Sequence, residues 1–242
     1  MNVSLDNFRD AYTDDFAYSM DNRLMLNWYP RRILDLYNGE RGSLLELGLG
    51  HGYTACVFSG EFSRHVVLDG SKEIIEQFKS RHQLAYTEII LSYFEDFDSD
   101  EQFDMIVMGF ILEHVDNPAA ILQRYKKYLK PQGSIFVAVP NYESLNRRYG
   151  YAAGLLPELC HLGPGDLALG HQRLFTADSL QDMIKQTGFR LKRLEGIFLK
   201  PLTTQQLINL NLPENILQAM MEVGIEYPEL CVAMLAEMGL EE

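Results

Sequence analysis

The sequence predicts a single α/β domain in which a mostly parallel, doubly wound sheet carries helices on both faces. Short apolar runs of strand length recur from residue 42 onward, amphipathic stretches with helical spacing stand between them, and a glycine-rich turn follows the first run. The runs are 44–47, 65–68, 88–91, 104–108 and 134–139. Because strands that alternate with helices form covered parallel sheets, this order favours an α/β fold over an all-α or all-β fold.

Length and charge narrow the class of protein. The 242 residues suit one domain over 1–242 with a modest insertion. A formal net charge of −13 argues against nucleic acid or an anionic membrane as the main partner, since both require clustered Lys and Arg. No run approaches 18 apolar residues, so we expect no membrane span. Three widely spaced cysteines and an N-terminus rich in Asp favour a cytoplasmic protein.

The first motif is Leu-Leu-Glu-Leu-Gly-Leu-Gly-His-Gly over residues 44–52, a buried strand that turns into a helix. Glycines bring the backbone close to a ligand, and the free N–H groups of a helix start favour polar or anionic groups. Gly48, Gly50 and Gly52 are therefore candidate cofactor residues. A dinucleotide fingerprint requires a glycine where Tyr53 stands, which weakens the nicotinamide hypothesis.

The second motif is the apolar run that ends in Asp69, about 20 residues after the glycine turn. A Rossmann-like unit places at this point the acid that accepts hydrogen bonds from ribose hydroxyls. Two vicinal hydroxyls suit the two oxygens of a carboxylate, so Asp69 is the candidate ribose ligand. A cap of the helix that starts near Ser71 is the alternative role, and it is compatible with binding.

These motifs resemble those of class I S-adenosyl-L-methionine (SAM) dependent methyltransferases. The Glu-x-Gly-x-Gly-x-Gly motif at 46–52 has the form of the family's first motif. Residues 103–118, with Leu-Glu-His at 112–114, resemble the family's fourth strand and the loop that follows it, and Gly-His-Gln-Arg-Leu-Phe-Thr at 170–176 matches a later family motif. The resemblance covers residues 40 to 200 and implies a Rossmann-like seven-stranded sheet with an antiparallel last strand.

The resemblance also implies the cofactor and its binding residues. We expect SAM as cofactor and S-adenosyl-L-homocysteine (SAH) as product. Tyr93 and Gly70 depart from the family's adenine-binding pattern, so Phe94 and either Glu95 or Asp96 are expected to take over those contacts. The full set of predicted cofactor residues is Glu46, Gly48, Leu49, Gly50, Gly52, Asp69, Gly70, Ser71, Phe94, Glu95, Met108, Gly109 and Tyr18.

Two segments are expected to shape the acceptor side. Residues 1–40 form an N-terminal helical cap, with a helix over 22–37 that Pro30 would start or kink. Residues 141–172 are broken by glycine and proline and lie where the family inserts its substrate cap. The remaining patterns predict helices at 72–81, 118–129, 177–187 and 213–223, a sixth strand at 189–199, and either a helix or the antiparallel strand at 229–237.

Methyl transfer is an in-line displacement that requires a positioned acceptor and, for a hydroxyl or ammonium, loss of a proton. Histidine titrates near neutrality. The candidate proton acceptors are His171, then His114, then His161, and each has a structural alternative. A neutral amine or a carboxylate acceptor would require no base.

No metal site is predicted. Relatives that methylate quinone-type phenols carry an additional glutamate three residues before the Glu-His pair, which completes a divalent metal site. Phe110 occupies that position here, so Glu113 and His114 alone would leave a bound Mg²⁺ short of ligands.

The function that these residues favour is SAM-dependent methylation of an oxygen or nitrogen of a small metabolite, sugar or natural-product intermediate. Two alternatives stay open: a non-catalytic SAM- or nucleotide-binding regulatory protein, and a methyltransferase for a peptide or carrier-bound acceptor. A nicotinamide-dependent oxidoreductase is less favoured than these, because Tyr53 stands where its motif requires a glycine. The expected partner is a small-molecule acceptor, with no nucleic acid and no membrane, and the chain is expected to be a monomer or homodimer.

Overall fold

The computed structural model describes residues 19–241, which contain one seven-stranded sheet flanked by helices. The strands are β1 (Ser43–Leu47), β2 (Arg64–Asp69), β3 (Thr87–Leu91), β4 (Phe103–Gly109), β5 (Leu129–Pro140), β6 (Phe189–Ile197) and β7 (Ala233–Leu240). The helices are α1 (Ser19–Leu36), α2 (Tyr53–Phe58), α3 (Lys72–Arg81), α4 (Pro118–Tyr125), α5 (Leu145–Ala152), α6 (Pro164–Ala168), α7 (Ala177–Gln186), α8 (Thr204–Leu210) and α9 (Glu214–Gly224).

The strand order is β3-β2-β1-β4-β5-β7-β6, and it confirms the predicted doubly wound sheet. The pairs β2–β3, β1–β2, β1–β4 and β4–β5 are parallel. Strand β7 runs antiparallel to both β5 and β6, so the segment that the sequence left open is the predicted antiparallel last strand. The order reverses between β1 and β4, and a doubly wound sheet binds ligands beside such a reversal.

Both faces of the sheet are buried, which explains the near-continuous apolar runs. In β1, Leu45 packs in the core layer on one face, while its neighbour Leu44 packs in the layer on the other. In β4, Ile106 packs in the first of these layers and Met105 in the second. This alternation covers each face with its own set of helices. Within residues 19–241 no helix has the length and apolar character to span a membrane.

Pro30 was expected to start or kink a helix over 22–37, and it does not start α1, which runs through the proline from Ser19 to Leu36. Tyr29, Pro30 and Ile33 are buried. Proline removes one backbone hydrogen bond from a helix interior, a cost that the burial of this face offsets.

Strand β5 begins at Leu129 instead of residue 134. Leu129 pairs with Phe103, and the register shifts before Met105 pairs with Ser134. The predicted helix at 118–129 is consequently shorter: α4 ends at Tyr125 and a 3₁₀ turn covers Lys126–Tyr128.

The segment 141–172 is more ordered than its glycine and proline content suggests. It contains α5 and α6, and the Arg147 side chain holds the intervening loop by donating hydrogen bonds to the carbonyl oxygens of Leu159, at 2.8 and 3.1 Å, and His161. Asn141 at the end of β5 donates to the Cys231 carbonyl oxygen at 2.9 Å. These contacts place the segment above the carboxyl ends of the strands.

Candidate functional site

A cavity of about 970 Å³ opens at the carboxyl ends of β1, β2, β4 and β5. It lies beside the reversal of strand order, where the parallel sheet leads us to expect a ligand. Most of the predicted site residues line it: Gly48, Leu49, Gly50, Gly52, Asp69, Gly70, Ser71, Phe94, Glu95, Gly109, His114 and His171.

The glycine turn forms one wall of the cavity. Gly48 and Gly52 have φ values of 83° and 77°, a region that favours glycine. A Cβ atom at Gly48 would lie 2.5 Å from the Ile111 side chain, and one at Gly52 would overlap the Phe78 ring. The turn therefore needs glycine for its backbone conformation and for its packing, and α2 begins directly after it.

Asp69 connects the glycine turn to the loop after β2. Its Oδ2 accepts a hydrogen bond from the Leu49 backbone N–H at 2.8 Å, and its Oδ1 accepts one from Ser71 N–H at 2.8 Å. The N-cap of α3 is Ser71, whose Oγ accepts from Ile74 N–H at 3.3 Å. Asp69 is thus not the helix cap that the sequence allowed, and its carboxylate orders two loops on the cavity wall.

Glu113 also lines the cavity, and its side chain has an unusual environment. The side chain is 0 % exposed, and neither carboxylate oxygen has a hydrogen-bond partner within the described part of the chain. Burial raises the pKa of Glu113 to about 7, despite the opposing influence of His171. Each of Glu113, His114 and His171 offers one donor atom, and these atoms lie within 4.8 Å of one another.

The two histidines of this cluster come from different loops. The rings of His114 and His171 lie edge to face with centroids 4.9 Å apart. His114 Nδ1 is 3.3 Å from the Gly170 carbonyl oxygen, and His171 Nδ1 is 3.4 Å from Asp166 Oδ1. Burial, reinforced by His171, lowers the pKa of His114 to about 4. The imidazole of His114 is consequently neutral at physiological pH.

Arg173 explains how the Leu-Glu-His and Gly-His-x-Arg motifs meet. Its guanidinium donates to the carbonyl oxygens of Leu112 at 3.2 Å and Asp116 at 3.1 Å, and also to that of Val115. The arginine side chain therefore pins the backbone of the loop that carries Glu113 to the later motif. Its donors point to carbonyl oxygens, so this nearby cation does not pair with the Glu113 carboxylate.

Three predicted residues within the described part of the chain are not among those that line the cavity. Glu46 is buried beside His65, whose Nε2 lies 2.9 Å from Glu46 Oε2, and Met108 packs in the core. His161 belongs to the loop that Arg147 holds, since its carbonyl oxygen accepts from the Arg147 guanidinium, and it is not among the lining residues. Tyr18 lies outside the described residues.

The structure also adds lining residues that the sequence did not suggest. Lys200 and Asp21 line the cavity and are almost fully buried. Lys200 Nζ donates to Asp21 Oδ2 and, at 2.9 Å, to Thr204 Oγ1. A single Lys after the sixth strand and an Asp in the first helix form no motif, so no local pattern could have linked them.

Comparison with known proteins identifies the family. A family model described as a methyltransferase domain matches residues 19–194, which is most of the chain. A ubiquinone biosynthesis O-methyltransferase from Aliivibrio fischeri (strain MJ11) is 25% identical over 203 residues, covering 80% of this chain and 82% of the relative.

Solved structures share the fold. The protein solved in a complex with the Haloferax volcanii Trm112 methyltransferase activator superposes with a TM-score of 0.66, 16% identity and full coverage of both chains. The plantazolicin methyltransferase BpumL, solved with SAH and a monoazolic desmethylPZN analogue, gives a TM-score of 0.63 at 15% identity, over 98% of this chain and 90% of BpumL. With the family match, this fold and the glycine turn beside Asp69, the chain belongs to the methyltransferase domain family and is a class I SAM-dependent methyltransferase.

Proposed function

We propose that this protein transfers the methyl group of SAM to a hydroxyl oxygen of a small-molecule acceptor. The observation that carries the proposal is that one cavity of about 970 Å³ is lined both by the glycine turn with Asp69 and by Glu113, His114 and His171. We assign the first set of residues to the cofactor and call it the cofactor end, and we assign the second set to the acceptor and call it the acceptor end. One enclosed space can hold cofactor and acceptor together, as an in-line displacement requires.

The cofactor end of the cavity supplies the contacts that SAM needs. The backbone of the glycine turn and the start of α2 face the methionyl part, whose carboxylate suits the free N–H groups of a helix start. Asp69, ordered by Leu49 and Ser71, is the ribose ligand in this arrangement. Phe94 and Glu95 lie on the same wall and are assigned to the adenine.

The acceptor end favours a hydroxyl over an amine. A hydroxyl has to lose its proton during transfer, whereas a neutral amine already carries a free lone pair and needs no base. Glu113, His114 and His171 are three proton-accepting groups within a few ångströms of one another. The O-methyltransferase relative supports the same choice. The sequence did not distinguish between oxygen and nitrogen as the methylated atom. The cluster of Glu113, His114 and His171 is the reason that we propose oxygen.

The first experiment is a calorimetric titration of the purified protein with SAM, SAH and NADH. We expect both adenosyl ligands to bind and NADH not to bind. The matched variant is Gly50→Val: at its φ of 48° a β-branched side chain is strained, and we expect SAM binding to be abolished while the fold is retained. Retained SAM affinity in Gly50→Val would contradict the assignment of the cofactor end.

The second experiment measures SAH release with a panel of phenols, alcohols and primary amines. We expect turnover with members of the hydroxyl panel and none with the amines. Turnover confined to amines would replace oxygen by nitrogen as the acceptor atom. SAM binding without turnover on any acceptor, including peptides, would support a non-catalytic SAM-binding protein instead.

A further inference from the structure

We propose that Glu113, His114 and His171 bind a divalent first-row transition-metal ion at the acceptor end of the cavity. The prediction of no metal site counted only Glu113 and His114, because Phe110 stands where a third ligand was expected. The structure supplies a third donor from elsewhere, since the loop after α6 carries His171 to the same point.

The three donor atoms are close enough to share one ion. They lie within 4.8 Å of one another. An ion bound at about 2.1 Å from each donor requires donor separations of about 3.4 Å in a tetrahedral arrangement. Small rotations of the three side chains achieve this contraction, because each ligand is the end of a side chain with its own torsional freedom.

The Glu113 carboxylate is the second, independent observation. A buried carboxylate with no hydrogen bond to either oxygen is costly, and native structures rarely leave one in this state. The nearby cation Arg173 does not satisfy it, because its guanidinium donates to backbone carbonyl oxygens. A cation between Glu113 and the two imidazoles would satisfy this carboxylate.

Both imidazoles have the outer partners that metal-binding histidines use. Such a histidine directs its second ring nitrogen to a carbonyl or carboxylate, which fixes the ring and exposes the other nitrogen to the metal. His114 Nδ1 lies 3.3 Å from the Gly170 carbonyl oxygen, and His171 Nδ1 lies 3.4 Å from Asp166 Oδ1, which is an ion-pair distance outside hydrogen-bond geometry. Asp166 is itself held, because its Oδ2 accepts from Gly163 N–H at 2.8 Å. The Nε2 atoms of both rings are then the metal ligands.

The donor set indicates which metals bind. Two imidazole nitrogens and one carboxylate suit Zn²⁺, Fe²⁺, Co²⁺ or Ni²⁺ better than Mg²⁺ or Ca²⁺, which prefer oxygen. Three protein ligands leave an open position, as in catalytic metal sites. If the proposed hydroxyl acceptor is correct, its oxygen occupies that position, where a metal ion makes a hydroxyl more acidic.

The test uses Co²⁺ alone as the probe, with the full-length protein freed of metal by chelator and dialysis. We expect one Co²⁺ per chain by elemental analysis, together with visible d–d absorption typical of few-coordinate nitrogen and oxygen ligation. Glu113→Gln and His171→Ala are expected to weaken Co²⁺ binding by more than about 100-fold, and Asp166→Asn by about 10- to 100-fold. The exposed His82 lies outside the cavity, so His82→Ala should bind Co²⁺ like the wild type.

Absence of specific Co²⁺ binding by the wild type would overturn the proposal, as would equal affinity in Glu113→Gln and the wild type. Thermal unfolding of each variant establishes that it is folded. SAM titration of the metal-free protein separates the two proposals: SAM binding without Co²⁺ binding removes the metal site and leaves the proposed function standing.

Discussion

The Oδ2 atom of Asp69 lies 2.8 Å from the backbone nitrogen of Leu49, in the middle of the glycine turn. The carboxylate that the sequence assigned to the cofactor ribose therefore also holds the turn in place. Its other oxygen accepts the Ser71 N–H, so one side chain orders both loops of the cofactor end. A ligand contact and the preorganisation of the site depend on the same residue.

Asp69→Asn is expected to weaken SAM binding by at least about tenfold, since hydrogen bonds to a charged group contribute about 1.5–3 kcal/mol each. The amide keeps the size of the side chain but loses the charge and turns an N–H group toward a backbone N–H. Calorimetric titration with SAM measures the loss. Asp178→Asn, at an exposed position on α7, is the control and should bind SAM normally. Unchanged affinity in Asp69→Asn would remove Asp69 from the site.

Two glycine variants can separate the effect of side-chain packing on stability from the effect of the left-handed backbone conformation. Gly52 and Gly60 have nearly equal φ values, 77° and 82°, but a Cβ atom at Gly60 meets nothing within 4 Å whereas one at Gly52 overlaps the Phe78 ring. Gly60→Ala should cost about 1–2 kcal/mol for the left-handed backbone. Gly52→Ala should cost about 1–3 kcal/mol more because of the overlap.

Thermal unfolding checks this difference, at about 2–4 °C in Tm for each kcal/mol in a chain of this size. SAM affinity should fall only in Gly52→Ala, because Gly60 is not among the cavity-lining residues. Equal Tm values for the two variants would show that the Phe78 contact does not constrain the turn.

His171→Ala is expected to lower turnover at least about 100-fold, because the acceptor hydroxyl loses a group that promotes its deprotonation. SAM affinity should be nearly unchanged, because His171 lies at the acceptor end with Glu113 and His114. Steady-state kinetics and SAM titration of the same variant make the comparison, with His82→Ala as the control. An equal loss of turnover and SAM affinity would mean that the histidine is structural.

The carboxylate of Asp104 should make the stability of the fold depend on pH. Burial opposes its charge, but hydrogen bonds from Lys130 Nζ, Ser43 Oγ and Ser43 N–H, each 2.8 Å long, outweigh this and lower the pKa of Asp104. A carboxylate with a lowered folded-state pKa stabilises the fold fully above its unfolded pKa of about 3.9. That stabilisation is lost as pH falls through the folded pKa.

Asp104→Asn should therefore reduce the free energy of unfolding at pH 7 by about 1.5–3 kcal/mol. The difference from the wild type should shrink in acid, below a pH of about 3.9. Urea unfolding at neutral and acidic pH provides the measurement. Asp98→Asn is the control, because Asp98 is an exposed partner of Lys127 and exposed pairs contribute little. If the free energies of unfolding of Asp104→Asn and the wild type differ by the same amount at neutral and acidic pH, the proposed role of the carboxylate is contradicted.

Much of the cofactor end could be predicted because its information is local. Gly48, Gly52 and Asp69 directly follow the apolar runs of β1 and β2, and the ends of neighbouring parallel strands always meet at one edge of a sheet. Glu46 shows the limit of this reasoning. It belongs to the same motif, yet its carboxylate is buried beside His65 and does not reach the cavity.

The amino-acid sequence by itself determined the order of the first six strands, the glycine turn and the acid that faces it, since periodicity and turn chemistry act over a few residues. Only the tertiary structure decided what the acceptor end contains. Arg173 draws two distant loops together, so that His171 reaches Glu113, and Asp21 meets Lys200 across the cavity wall. Such contacts depend on how whole elements pack, and the spacing of residues along the chain does not encode them.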